Sequence, residues 1–370
     1  MTSILTIFGT RPEIIKLAPV IRACESAGLG VVNLYTGQQP DLGDPLLEYF
    51  GINISHRTEV MTAGQTIASL LARTLHAIDP IVQAISPGAV VVQGDTTSAL
   101  AGAMAAEFHR VPIVHVEAGL RTGDKREPFP EETNRCLISR LATIHCAPTN
   151  RNVRNLLDEG TDPQRVFQTG NPIVDAIDEI SSTFDIGTRV KELITAQTGK
   201  IVILATAHRR ENFGTTLDTY LRELHNYVEE HENVVLLFPV HPNPNVRDSI
   251  RRNLPTHPRI ELLPPLGYPD FLALMRRANV IVSDSGGVQE EAASVATPLL
   301  VLRSKTERPE AVVAGIAKLV PDPASLQLEI DQALGADPQR PARTEDNPFG
   351  DGRSGQRIAR HIVEFLSSQS

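Results

Sequence analysis

The sequence predicts an α/β protein made of two doubly wound, Rossmann-like parallel-sheet units. Short β-branched runs alternate with helical spacing along most of the chain, and after a polar stretch at 181–200 the same alternation starts again. Several of the apolar runs also end in Gly, Asp, Glu or His. In a doubly wound sheet those positions face the ligand crevice.

In the first half, strands are expected at Ile4 to Phe8, Val31 to Tyr35, Val90 to Gln93, Ile113 to Val116, Ile144 to Ala147 and Val166 to Gln168, each followed by a loop and a helix. In the second half they are expected at Ile201 to Thr206, Val234 to Pro239, Ile260 to Leu262, Val280 to Ser283, Leu299 to Leu302 and Lys318 to Val320. A loop rich in Pro, Asp and Gly, Pro338 to Gly352, precedes "SGQRIARHIVEFL", whose spacing predicts a closing helix. The expected domains are therefore 1–171, closed by the helix 354–370, and 172–353. No strong sequence repeat links the halves. Two such units make a cleft between them the natural ligand site.

With 370 residues, 41% hydrophobic and 21% charged, the chain can give each unit a core. A net charge of -9 argues against bulk binding to nucleic acid or an anionic membrane, yet leaves room for local cations that grip one small anion. Cys24, Cys136 and Cys146 form no even disulfide set and no Cys-x-x-Cys pair, and no Cys/His spacing suggests a metal site. A reducing cytoplasm fits them best. "MTSILTIFGTRPE" lacks a basic leader and breaks its apolar run at Gly9, so it reads as a first strand, and no run approaches a membrane span.

The strand ends hold the chemistry. "FGTRPEIIK" opens a helix with Pro12 in its first turn, and Arg11 and Lys16 either meet an anion there or are solvated cations. It is no G-x-G-x-x-G, so no dinucleotide fingerprint is present. In "VVVQGDTTSALA", Asp95 either caps the next helix or faces the crevice. Glu117 closes the neighbouring strand, and Glu131 and Glu132 follow one loop later. Carboxylates gathered on one rim repel unless a substrate, a proton or Arg121 and Arg135 compensates, and such crowding separates an acid from a base. The bland reading is an ion-paired surface loop. In "ATAHRRENFG", His208 beside arginines suits a departing phosphate; His241 ends a strand in "FPVHPNPNVR". "VSDSGGVQEEAA" runs from a buried strand through Ser285, Gly286 and Gly287 into a helix, so bare N–H groups can cradle a diphosphate. Glu291 lies one turn on, within reach of a ribose hydroxyl, and "TERPE" brings Arg308 to another helix start.

Taken together, "FGTRPEIIKLAPVI", "GDTTSALA", "HVEAGLRT", "PFPEETNR", "TGNPIVDA", "AHRRENFG", "PVHPNPNVR", "SDSGGVQEEA" and "LVLRSKTERPEAV" resemble, in order and spacing, the bacterial non-hydrolysing UDP-N-acetylglucosamine 2-epimerases. The resemblance spans nearly the whole chain. It implies the two-domain fold of GT-B glycosyltransferases, a nucleotide-binding second domain, a homodimer, and no metal or redox cofactor. It also implies a reaction: loss of UDP to give 2-acetamidoglucal, then re-addition with the C2 hydrogen on the other face. Asp95, Glu117 and Glu131 carry over as catalytic acids and His208 as the residue assisting UDP. Arg11, Lys16, Arg135 and His241 then join Ser285, Gly286, Gly287, Glu291 and Arg308 in holding the substrate. A GT-B glycosyltransferase shares the cradle but accounts less well for three acids. A hydrolysing relative and a binder that has lost catalysis are further alternatives, and sugars altered at C3 or C6 are open as substrates.

Two departures stand out. Gln39 in "TGQQPDLGD" occupies the place of the family's histidine, and Gly64-Gln65 stands where several members have Arg-Gln. The resemblance assigns both positions to a second, regulatory substrate site, and losing a cation there weakens substrate activation. Initial rates across substrate concentrations are expected to be less sigmoidal than the family norm, and a steep sigmoid refutes this.

Overall fold

The computed structural model describes residues 3–62, 64–183, 185–335 and 347–369. The chain folds into two compact units, Met1–Asp178 with Phe349–Ser370, and Glu179–Pro348. In the first unit, β1 (Ser3–Phe8), α1 (Arg11–Ser26), β2 (Gly30–Tyr35), α2 (Pro40–Tyr49), β3 (His56–Arg57), α3 (Ile67–Ile85) and β4 (Ala89–Gln93) lead into α4 (Thr97–Phe108). Then come β5 (Ile113–Val116), α5 (Glu131–Leu141), β6 (Ile144–Ala147), α6 (Asn150–Asp158), β7 (Val166–Gln168) and α7 (Pro172–Thr183). The seven strands lie in the order β3-β2-β1-β4-β5-β6-β7, every pair parallel.

The second unit contains α8 (Thr188–Ala196), β8 (Ile201–Thr206), α9 (Thr215–Glu230), β9 (Val234–Pro239), α10 (Pro244–Asn253), β10 (Ile260–Leu263) and α11 (Tyr268–Arg277). It continues with β11 (Val280–Ser283), α12 (Gly286–Val295), β12 (Leu299–Val301), α13 (Pro309–Val313), β13 (Ala317–Leu319) and α14 (Leu326–Gly335). Its six parallel strands run β10-β9-β8-β11-β12-β13. Both sheets thus reverse direction beside their first strand, between β1 and β4 and between β8 and β11. That switch point parts the flanking loops and opens a crevice over the strand carboxyl ends.

The doubly wound class is borne out in both units. Strands buried on both faces read as continuous apolar runs. The first sheet buries Leu5, Ile7, Val90 and Val92 with Ala-rich α4, and the second buries Ile203, Leu236, Phe238, Val280 and Val282 against α9. The division falls inside α7, later than the boundary the sequence suggests. Most of the Pro338 to Gly352 loop lies outside the described residues.

The closing helix, α15 (Ser354–Ser368), packs on α1. Gly355 permits this, since a Cβ there would lie 2.6 Å from the Pro19 carbonyl oxygen. Asp175 of α7 accepts the Ser354 and Gly355 N–H groups at 3.1 and 2.9 Å, which satisfies donors that a helix start leaves orphaned. The C-terminus is thereby tied into the first unit.

Candidate active site

In the first unit two of the candidate carboxylates, Asp95 and Glu117, follow the carboxyl ends of β4 and β5, neighbours in the sheet. Glu117 is buried and follows β5 with φ of 64°, a left-handed backbone that costs a non-glycine residue about 1–3 kcal/mol. Its carboxylate is held on both oxygens. Lys16 Nζ lies 2.5 Å from Oε1, Asn171 Nδ2 donates to Oε1 at 3.2 Å, and Gln93 Nε2 donates to Oε2. Lys16 is thus a buried counter-ion, not the solvated cation of the bland sequence reading.

Asp95 is half-buried and takes two N–H groups of Arg135 on one carboxylate oxygen, Nε at 2.9 Å and Nη2. Arg135, itself buried, also donates Nη1 to Glu132 at 3.0 Å, and Glu132 in turn accepts the Thr122 and Gly123 N–H groups at 3.0 Å. The capping role considered for Asp95 belongs to Thr96, whose hydroxyl accepts the Ala99 N–H at 2.9 Å. Asn134 donates to the Asp95 carbonyl at 2.9 Å. His115 lies 2.8 Å through Nε2 from the Gly94 carbonyl; burial pushes its pKa down to about 3, so the neutral ring donates there. The turn that presents Asp95 is therefore fixed from two sides.

The loop after Glu117 is equally constrained. A Cβ on Gly119, φ 88°, would sit 2.3 Å from the Asn152 carbonyl oxygen, and Asn155 donates to the Gly119 carbonyl at 2.9 Å. Arg121 does not compensate the candidate acids as the sequence suggests. It makes a bidentate pair with Glu159 at 2.7 and 2.8 Å and donates to the Ser139 hydroxyl at 3.0 Å. Glu131 opens α5 one turn before Arg135, and Arg11 opens α1, its N–H 3.4 Å from Gln39 Oε1. One carboxyl that burial raises is one that no sequence pattern singles out. Glu13, fully buried on α1, is pushed up to about 7 by desolvation, against hydrogen bonds that lower it.

In the second unit His208 follows β8, and Asp284 follows β11 beside it. His208 Nδ1 lies 3.1 Å from Asp284 Oδ1, and the N–H groups of His208 and Arg209 donate to the same carboxylate at 3.1 and 2.9 Å. Burial alone would raise the Asp284 pKa, but the His208 ring and these N–H groups bring it below the usual carboxylate range. The His208 ring remains 35% exposed and leaves Nε2 for a ligand, while His241 stacks against it at 5.7 Å.

Ser285 is the N-cap of α12, and Gly286 and Gly287 form its first turn. A Cβ on Gly286 would lie 2.9 Å from Arg308 Nη1 and 3.3 Å from Arg209 Nη2, so two guanidinium groups flank the positive end of the helix. Glu290 and Glu307 hold Arg308, the former at 2.6 Å to Nε, and Glu307 also lies 3.2 Å from Arg303. Glu291 is buried on the same helix. Among the described residues no cluster of His, Cys, Asp and Glu fit for a metal is found, and no helix is long and apolar enough to cross a membrane.

Two doubly wound units with charged loops over their switch points define a Rossmann-type enzyme class. The family model for UDP-N-acetylglucosamine 2-epimerase matches residues 22–363. A probable UDP-N-acetylglucosamine 2-epimerase of Ralstonia solanacearum is 39% identical over 99% of this chain and 100% of its own. Among solved structures, S. aureus MnaA with UDP superposes with a TM-score of 0.93 at 37% identity, covering 99% of this chain and 97% of that one. The Neisseria meningitidis UDP-GlcNAc 2-epimerase bound to UDP-GlcNAc gives 0.88 at 34% identity, covering 99% and 100%. The chain belongs to the UDP-N-acetylglucosamine 2-epimerase family, a family of isomerases.

Two measurements test the electrostatics of the first unit. Lys16→Met strands the Glu117 carboxylate and is expected to cost about 3–5 kcal/mol, with the double variant Lys16→Met/Glu117→Gln costing clearly less than the summed singles. Strict additivity in denaturant unfolding would show the pair uncoupled. Because the Glu13 pKa is raised on folding, its stabilising contribution is present below about 4.5 and is lost as pH rises through about 7. Relative to Glu13→Gln, the native protein should lose on the order of 3 kcal/mol between those limits. An identical difference at pH 5 and pH 8 contradicts the raised pKa.

Proposed function

We propose that the protein interconverts UDP-N-acetylglucosamine and UDP-N-acetylmannosamine by elimination of UDP and its re-addition. The observation that supports this reading is the pair of carboxylates, Asp95 and Glu117, at the ends of adjacent strands, each held by a buried cation. The C2 hydrogen of the sugar is not next to a carbonyl and is very weakly acidic. It leaves only while the C1–O bond to the diphosphate is breaking. A carboxylate takes the C2 proton, the C–H pair becomes the C1=C2 bond, and the C1–O pair departs with UDP. In the return step a proton reaches C2 from the opposite face and a diphosphate oxygen attacks C1. Nothing is oxidised or reduced, so the step calls for no hydride carrier.

Asp95, Glu117 and Glu131 supply the acid and base groups in this reading. His208, oriented by Asp284, presents Nε2 to the leaving diphosphate, where charge develops. Arg11, His241, Ser285, Gly286, Gly287, Glu291 and Arg308 hold the nucleotide sugar. Lys16 and Arg135 serve it through the carboxylates they fix. The solved relatives holding UDP and UDP-GlcNAc support a UDP-sugar ligand. The same reading places the enzyme in the cytoplasm as a homodimer feeding polysaccharide synthesis, in keeping with its free cysteines.

Proton NMR with UDP-N-acetylglucosamine in deuterated water tests the proposal. UDP-N-acetylmannosamine carrying deuterium at C2 is expected. Free N-acetylmannosamine and UDP would overturn it in favour of the hydrolysing route. An unchanged spectrum with binding confirmed would overturn it for this sugar, and a panel of C3- and C6-modified UDP-sugars then separates an altered substrate from a binder.

A further inference from the structure

Glu13 is fully buried, lies outside the acid set proposed for the chemistry, and has no cation among its hydrogen-bond partners in the described residues. Its Oε2 accepts the Gly9 N–H at 3.1 Å, the Thr10 N–H at 2.8 Å and the Thr10 hydroxyl at 2.7 Å. Its Oε1 accepts the Thr96 hydroxyl at 2.8 Å. One carboxyl thus joins the loop after β1 to the loop after β4, across the switch point of the sheet. The first loop leads to Arg11, and the second carries Asp95 immediately before Thr96. Thr96 also caps α4, so a shift of its hydroxyl moves a helix start and the Asp95 backbone together.

Local helix capping does not explain this arrangement. The N–H groups of Gly9 and Thr10 would be satisfied by any acceptor at this position of α1. The bond to Thr96 reaches 83 residues along the chain and caps nothing on α1. Burying a carboxyl with no cation is costly, as its pKa near 7 records.

We propose that Glu13 is a positioning residue for the epimerase reaction, holding Asp95 at its working height by way of Thr96. This rests on the catalytic assignment of Asp95 made above. A displacement of about 1 Å at a reacting group costs up to about a hundredfold in rate while leaving remote binding contacts in place. The signature is therefore a loss in kcat without a matching change in KM.

The experiment measures kcat, KM and thermal stability for the native protein and for Glu13→Ala, Glu13→Gln and Thr96→Val, with C2 deuterium exchange as the assay. Glu13→Ala and Thr96→Val are each expected to lower kcat about tenfold or more with KM within about twofold. Glu13→Gln, which still spans the two loops, should recover most of the loss. Should Glu13→Ala fail to fold, Thr96→Val carries the comparison, because it leaves the bonds on α1 in place. A drop in Thr96→Val alone, with Glu13→Ala at native kcat, assigns the effect to the α4 cap and overturns the proposal. Equal losses in Glu13→Gln and Glu13→Ala overturn it as well. Absence of exchange by the native protein sinks the functional reading and this proposal with it, whereas exchange that Glu13→Ala retains in full sinks this proposal alone.

Discussion

The first unit is organised around a carboxylate that its own burial disfavours. Glu117 stands at the end of a central strand, in a left-handed backbone, nearly removed from water. A lone charge there would take up a proton or unfold its surroundings. Lys16 prevents both, which explains why α1 must enter the sheet where it does: its second turn delivers the ammonium to the end of β5, across β4. Asn171 and Gln93 add two further donors to the same carboxylate, so the ion pair meets the condition under which burial of two charges is tolerated. The position of α1 is in turn fixed by α15, through the close approach at Gly355. The chain terminus thus bears indirectly on a carboxylate far from it in sequence.

The second unit solves a similar problem with other residues. Asp284 is fully buried at the end of β11, and its compensation comes from the loop after the neighbouring strand β8, as two N–H groups and the His208 ring. The arrangement orients the imidazole and leaves its other nitrogen outward. At the start of α12 the cations are arranged differently. Arg303, Glu307, Arg308 and Glu290 form a buried set in which two positive and two negative charges alternate, so Arg308 is held at the helix start at no net charge. For the diphosphate of the proposed substrate, the helix dipole and a guanidinium already ordered would lower the entropic cost of binding there.

The sheets are legible in the sequence because parallel strands covered on both faces are written as short apolar runs. Six of the twelve expected strands coincide residue for residue with those of the structure, among them Ile113–Val116 and Ile201–Thr206, and the others differ at an end or in register by a single residue. β3 carries no such signature, since His56–Arg57 is two polar residues that join the sheet only at its edge. The strand-end acids are also visible, because a charge closing an apolar run breaks the pattern. Of their partners, Arg135 is anticipated as a compensating cation and does hold Asp95, but Lys16 is not anticipated: it is 101 residues from Glu117, and such a pairing follows from strand order, which periodicity does not encode. Glu13 is hidden for another reason: within "TRPEIIK" an acid in a first helical turn reads as an ordinary cap.

The chain from Asp95 through Arg135 and Glu132 to the N–H groups of Thr122 and Gly123 explains why two carboxylates border so short a loop. The loop begins at Glu117 and returns at Glu131, and Arg121, Gly119 and Glu132 pin it at three places to α6 and α5. A mobile loop would let its acids drift from the Asp95 side by more than the fraction of an ångström that proton transfer tolerates. Here the link from Asp95 runs through charge-assisted hydrogen bonds that are buried or partly buried, each costly to leave unmade. The acid at the end of β4 and the loop that starts at the end of β5 therefore shift together or not at all. In the mechanism proposed above, which removes a proton from one face of a sugar and restores it on the other, that shared rigidity is what keeps the acids in register with each other.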